Sequence, residues 1–285
     1  MGWNPEGKGD PTLLVGRITA LSGRPLATLV NYACHPTVLA WQNSLASPDY
    51  VGAMREVVER ETGCPAVFIL GAAGDLAAAY QYVGDTEVAD RHGRRLGYSV
   101  LATLCAMNPP GKALAYRGWV RSGAPLAIWE PAGREAIPGE IRSTMLEVDL
   151  PIRADFPEKE VLQEQLAAAE GDRVLQEQLR RKLVIRTSLG DGSTYRSRNP
   201  VWWLGGIVIV GLNNEIYSVF QQTVRAALPE KALFVATLVH HSRGYLPPRH
   251  LYPLAERHYA VWQTPFAAGS LELLTDKVLR LLACS

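Results

Sequence analysis

The sequence is poor in cysteine. Cys34, Cys64, Cys105 and Cys284 are its four, and no two of them form a CxxC pair, so neither a zinc knuckle nor a thioredoxin-like redox motif is present. A disulfide framework is not expected at this density. Cys34, Cys64 and Cys105 stand in apolar or small-residue surroundings and are expected to be buried thiols. Long hydrophobic runs are also missing. The longest candidate, Val201–Leu212, is broken by Gly205 and Gly206, well short of the roughly 18 residues of a membrane-spanning helix. The opening MGWNPEGKGDP is polar and loop-like and has no signal-peptide core, so the sequence as written is expected in the cytoplasm. Gly2 would suit myristoylation, but Glu6 stands where that motif needs serine or threonine.

An excess of either charge is lacking too. Lysine plus arginine is 29 and aspartate plus glutamate 28, for a net charge of +1. This offers no electrostatic case for nucleic acid or an acidic membrane surface. HExxH and GxSxG do not occur, which leaves zincin and serine-hydrolase mechanisms unsupported. GxGxxG does not occur either; GAAGD at 71–75 has only two glycines and the wrong spacing for a dinucleotide fingerprint. No histidine precedes His35.

What is present is ordinary globular composition. The chain has 285 residues, 47% of them hydrophobic and 20% charged. That is enough for one large domain or two small ones, and it excludes a disordered, collagen-like or coiled-coil chain. Thr12–Leu21 and Leu26–Ala33 read as strands joined by the turn Ser22–Pro25. Ser47-Pro48-Asp49 opens a helix over Tyr50–Thr62 that stops at Gly63. Ala66–Leu70 is a buried-type strand, and a long helix spans Thr86–Met107 before Pro109 and Pro110. Ala113–Val120 and Thr144–Leu150 read as strands. Phe156–Leu183 reads as an amphipathic helical pair broken at Gly171-Asp172, and Ile185–Pro200 as a polar loop. Val201–Leu212 gives two strands, Glu215 opens a helix to about Leu228, Ala232–Val239 is a buried strand, and Leu271–Leu282 is a terminal helix. The expected class is α/β (α+β): layered mixed β-sheets flanked by helices in one domain over residues 1–285, with 156–200 as a helical insertion and loop.

Polar or small residues recur where strands end: NYACHPT, GAAGD, NNE and HHSRGY. In layered α/β domains such ends gather into a site. His35 is held extended by Pro36 and can act as a metal ligand, a general base or a capping histidine. Glu215 follows IVIVGLNN and reads either as a ligand or as a first-turn helix carboxylate. Asp75 can hydrogen-bond backbone amides or orient His35. His240 and His241 are adjacent, so only one of them can face a given pocket.

Taken in order, NYACHPTVL, SPDY, FILGAAGD, NNEIYSVFQQTVR, HHSRGYLPPRHLY and YAVWQTPFAAGS resemble segments of the neutral (non-lysosomal) ceramidase family and its bacterial relatives. The resemblance runs over about residues 10–280 and is weakest at about 113–200. It implies a zinc-dependent amidase in which a metal-activated water attacks an N-acyl carbonyl. His35, Glu215 and Tyr245 match three zinc ligands of the family. The fourth, a histidine of an HTHSGP-type motif, is expected upstream, so the sequence is expected to lack the family's N-terminal portion, where any secretion signal would also lie. Water, His240 or His241 would then complete the shell. Asp49, Asp75 and Arg243 are further candidates: the first two as supporting or structural carboxylates, the third as a substrate-oxygen donor or a solvated arginine.

Two local departures accompany the match. Asn213-Asn214 stands in place of Pro-Gly, and no serine occurs between Asp75 and Arg95. The expected substrate is a small amide or lipid-like molecule, and exposed apolar edges or homo-oligomerisation are expected. The alternatives are a catalytically degenerate binding or assembly subunit, and a metal-assisted hydrolase of an ester or sugar-linked substrate.

Overall fold

The computed structural model describes residues 4–7, 9–133, 141–190 and 192–283. Its elements in chain order are β1 (Leu14–Thr19), β2 (Pro25–Tyr32), α1 (Tyr50–Thr62), β3 (Ala66–Leu70), α2 (Thr86–Ala106), β4 (Lys112–Arg121), β5 (Pro125–Gly133) and β6 (Ile141–Pro151). They continue with α3 (Lys159–Ala168), α4 (Arg173–Leu189), β7 (Thr194–Leu204), β8 (Ile207–Gly211), β9 (Glu215–Ile216), α5 (Ser218–Ala227), β10 (Ala232–Ala236), β11 (Tyr245–Leu246), a 3-10 segment Arg249–Arg257, α6 (Tyr259–Gln263) and α7 (Ser270–Ala283). This is the mixed α/β class expected from the sequence. Among the described residues no helix is long and apolar enough to cross a membrane.

Two small sheets carry the architecture. One has the order β1-β2-β3, the other β10-β8-β7-β6. Each contains one parallel pair with a helix in the crossover: β2 and β3 around α1, β8 and β10 around α5. The sheets are joined by Asn31 of β2, which stands in for a backbone group. Its Nδ2 donates to the carbonyls of Ile69 and Val235 at 2.8 Å each, and its Oδ1 accepts from the Val235 amide at 3.1 Å. One apolar core lies under the β10-β8-β7-β6 sheet, α5 and α7, and includes Leu212, Ile216, Phe220 and Phe266. A second, with Val30, Tyr50, Met54 and Val100, lies between the first sheet and helices α1 and α2. Leu162 and Leu179 close the α3–α4 pair.

Local chemistry explains several helix boundaries. Asp49 caps α1, its carboxylate accepting the Tyr50 amide at 2.7 Å, and the Gly63 amide closes the helix on the Glu59 carbonyl at 2.9 Å. Asp85 and Asp172 likewise accept amides at the starts of α2 and α4.

Four expectations are corrected. Ile185–Pro200 is not a loop: α4 runs to Leu189 and β7 begins at Thr194. The inward positions of β7, Ser197 and Asn199, are polar and fully buried. They bond each other, Asn213 and the Leu146 carbonyl, which hides the strand's alternation from a hydropathy reading. Strand β5 was also unforeseen. Its Pro125 and Pro131 disfavour a central strand, and among the described residues it pairs only with β4. Glu215 lies on the two-residue strand β9, with α5 beginning three residues later at Ser218. Cys105 is exposed rather than buried, while Cys64 is buried, Cys34 is half-buried, and all three are free; Cys284 lies outside the described residues.

Helices α1 and α2 touch backbone to backbone at Gly93. A Cβ there would lie 2.2 Å from the Tyr50 carbonyl oxygen and 2.8 Å from the Ala53 Cβ. Gly93→Ala is therefore expected to destabilise the protein by roughly 2 kcal/mol, because overpacking outweighs the gain of about 1 kcal/mol in helix propensity. Urea denaturation checks this; an unchanged midpoint would contradict the close packing.

Candidate functional site

The carboxyl ends of the two parallel pairs meet, and this is where open α/β sheets place their sites. The loop after β2 carries His35. The loop after β3 is the GAAGD turn and Leu76. The chain after β8 carries Glu215, and the chain after β10 carries Tyr245.

His35 is fixed from three sides. Its amide donates to the Leu76 carbonyl at 2.9 Å, and its ring Nδ1 lies 3.1 Å from the same oxygen. A carbonyl can only accept, so Nδ1 carries the proton. That leaves Nε2 facing Glu215 Oε2 at 3.2 Å. Burial opposes charging this imidazole, but the Glu215 carboxylate and the Leu76 and Ala73 carbonyls outweigh it and raise its pKa. The side chains of His35 and Glu215 keep 25% and 22% exposure, so the pair is accessible to a small molecule.

Glu215 and Tyr245 are neighbours in register, because β9 and β11 run parallel with Tyr245 opposite Glu215. The Tyr245 hydroxyl bonds the Glu215 carboxylate. Burial, followed by the negative charge of Glu215, pushes its pKa far above that of an ordinary tyrosine. Without a cation it is a neutral donor. The GAAGD turn braces this strand pair: the Gly74 amide donates to the Ile216 carbonyl at 2.8 Å. A Cβ at Gly74 would lie 2.9 Å from that oxygen, so the position takes no larger residue without displacement.

The remaining candidates do other work. Both Asp75 oxygens are engaged by Ser218, one by its amide at 2.6 Å and one by its hydroxyl at 2.8 Å. Asp75 thus caps α5 and ties it to the GAAGD turn; its bonds are not to His35. Asp49 accepts the Leu39 amide at 2.8 Å as well as that of Tyr50. It sits at φ 56°, a costly conformation for a non-glycine residue, which these two bonds hold in place. Arg243 Nε donates to the Tyr195 hydroxyl at 3.2 Å, and Asn213 Nδ2 donates to the same oxygen at 3.2 Å. His240 and His241 are exposed, and His240 has φ 69°.

Sequence reasoning missed Tyr50 and Tyr195. The Tyr50 hydroxyl donates to the Cys34 carbonyl at 2.6 Å. Together Asp49 and Tyr50 grip the His35 loop on both sides, at Cys34 and Leu39. The adjacency of SPDY to a helix start was the available signal. Tyr195 fell within the stretch read as a loop.

Among the described residues no three His, Cys, Asp or Glu side chains gather into a metal cluster. The third donor here is phenolic. The donor set nevertheless fits zinc: an imidazole nitrogen with its other nitrogen tied to a carbonyl, a carboxylate and a tyrosine oxygen. Two donors about 2.0–2.1 Å from a tetrahedral ion are themselves about 3.3 Å apart, and the His35–Glu215 separation is 3.2 Å.

No protein-family model matches the chain, and no curated protein matches its sequence. Its fold matches solved structures of neutral ceramidase. The crystal structure of neutral ceramidase from Pseudomonas aeruginosa superposes with a TM-score of 0.59 at 17% identity, covering 99% of this chain and 49% of that one. A structure described as ceramidase complexed with C2 gives 0.61 at 16% identity, covering 99% and 50%. The chain thus has the fold of about half of these proteins.

Proposed function

We propose that the chain is a zinc-dependent hydrolase domain acting on an N-acyl amide bond, with His35, Glu215 and Tyr245 as the protein's metal ligands. The observation that carries this reading is the convergence of His35 Nε2 and Glu215 Oε2 at 3.2 Å, with Tyr245 beside them in register, on the fold shared with neutral ceramidase. Zinc held there would supply Lewis-acid polarisation of a carbonyl and a water acidified towards neutral pH. The Leu76 carbonyl holds the His35 tautomer that leaves Nε2 free to ligate. Glu215 would offset the cation's charge. The half-buried Tyr245 hydroxyl would give up its proton more readily beside a cation. The exposed side of the pair admits the substrate. The α3–α4 pair is then a helical insertion within this single domain, and the substrate a small or lipid-like amide.

The test is hydrolysis of a chromogenic N-acyl amide and of the matching ester by zinc-treated protein. Amide cleavage that a chelator abolishes and zinc restores is expected. Metal-dependent ester cleavage alone would replace the amide reading, and no turnover of either substrate would overturn the hydrolase assignment.

A further inference from the structure

A second feature lies away from these ligands and does not depend on them. Pro157, Ala168, Leu175, Leu179, Trp262 and Lys182 line a cavity of about 390 Å³ beside the α3–α4 pair. Its size is at the small end of known ligand sites, and its walls are almost wholly apolar.

Gln165 and Lys182 are the polar exceptions, and Lys182 carries the charge. Only 8% of the residue is exposed, and its Nζ sits 3.4 Å from the centroid of the Trp262 ring. A ring face stabilises a cation but does not neutralise it. Asp155, the carboxylate whose charge acts on Lys182, is already committed: Arg153 holds it through Nε at 2.6 Å and through its terminal nitrogen at 2.5 Å. Arg153 also donates to the Val261 carbonyl at 2.9 Å, so its guanidinium is engaged as well. Among the described residues Lys182 is the one charged side chain lining the cavity, in a largely buried place where a charge gains from a counter-ion. Burial pushes its ammonium down to about 8, the Arg153 charge adds to this, and Asp155 opposes it; at pH 7 the charged form still dominates.

We propose that this cavity binds a carboxylate-headed amphiphile with a short apolar chain, the head group pairing with Lys182 and the chain lying along Leu175 and Leu179. The ammonium gains its missing counter-ion and the apolar wall loses its water. A strongly hydrated inorganic anion satisfies only the first requirement, and an uncharged alcohol only the second. The site is linked to Tyr245 by a run of rings: Tyr245 to Tyr259 at 6.0 Å and Tyr259 to Trp262 at 6.2 Å.

The test uses octanoate, 1-octanol and inorganic phosphate at pH 7, with calorimetry and with acetylation of Lys182 read by mass spectrometry. Octanoate is expected to bind wild-type protein at least about tenfold more tightly than 1-octanol or phosphate and to protect Lys182 from acetylation. Lys182→Met is expected to lose that margin, while Lys182→Arg keeps it. Equal binding of octanoate and 1-octanol, equal protection by phosphate, or unchanged octanoate affinity in Lys182→Met would overturn the proposal. The acetylation readout needs only wild-type protein, so it holds even if a variant misfolds.

Discussion

Glu215→Gln is expected to lower amide hydrolysis by the zinc-treated protein at least about a thousandfold while leaving the fold intact. Glutamine matches glutamate in shape and can still bond the His35 ring and the Tyr245 hydroxyl, so the β9–β11 pairing survives. What it removes is the carboxylate in hydrogen-bonding contact with His35 Nε2. A neutral amide oxygen is a far weaker zinc ligand than a carboxylate. Metal-assisted catalysis contributes several kcal/mol to the barrier, and each 1.36 kcal/mol is a factor of ten. Steady-state hydrolysis and thermal unfolding, measured on the same preparation, check the two halves of this expectation. A variant that keeps wild-type turnover would contradict the role of Glu215 as a zinc ligand.

The second large effect is on stability. Asp10, 6% exposed, pairs with Arg225 at 3.1 Å and also bonds the Gln221 side chain. Arg225 in turn reaches Asn31 Oδ1 at 3.1 Å and the Leu233 carbonyl at 3.2 Å, while Gln221 accepts the Ala72 amide at 2.9 Å. One buried network therefore holds the N-terminal segment, α5, the GAAGD turn and the seam between the sheets. Asp10→Ala leaves the guanidinium buried without its counter-ion, which should cost roughly 3–5 kcal/mol, on the order of 10 °C in unfolding temperature. The pair itself, set against apolar groups, is worth much less. The double variant Asp10→Ala with Arg225→Met should thus recover a good part of the loss. Chemical denaturation of the single and double variants tests this; additive losses would contradict the coupling.

Much of the scaffold was legible because its signals are local. Asp49 and Gly63 bracket α1 over the residues expected from their capping chemistry. The apolar run Ala66–Leu70 is a strand with the expected ends, and SGRP does connect the first hairpin. What escaped depends on partners far away in sequence. Strand β9 exists only because Tyr245–Leu246 lies beside it, so Glu215 looked like the start of a helix. The polar inner face of β7 makes sense only with Asn213 opposite Ser197.

The site divides in the same way. His35, Glu215 and Tyr245 were reachable through the resemblance, and the structure brings all three together. Asp75 and Asp49 were visible as carboxylates near strand ends, yet their oxygens are spent on helix starts and loop amides. The group that orients His35 is the Leu76 carbonyl, and a backbone oxygen carries no residue signature at all.

The most direct test of the metal reading is equilibrium dialysis against zinc, followed by metal analysis of wild-type protein and of His35→Ala. About one zinc ion per chain in the wild type, and a small fraction of that in His35→Ala with its fold retained, is the expected result. Zinc far below one ion per chain in the wild type, or equal zinc in both proteins, would contradict the assignment of His35, Glu215 and Tyr245 as ligands.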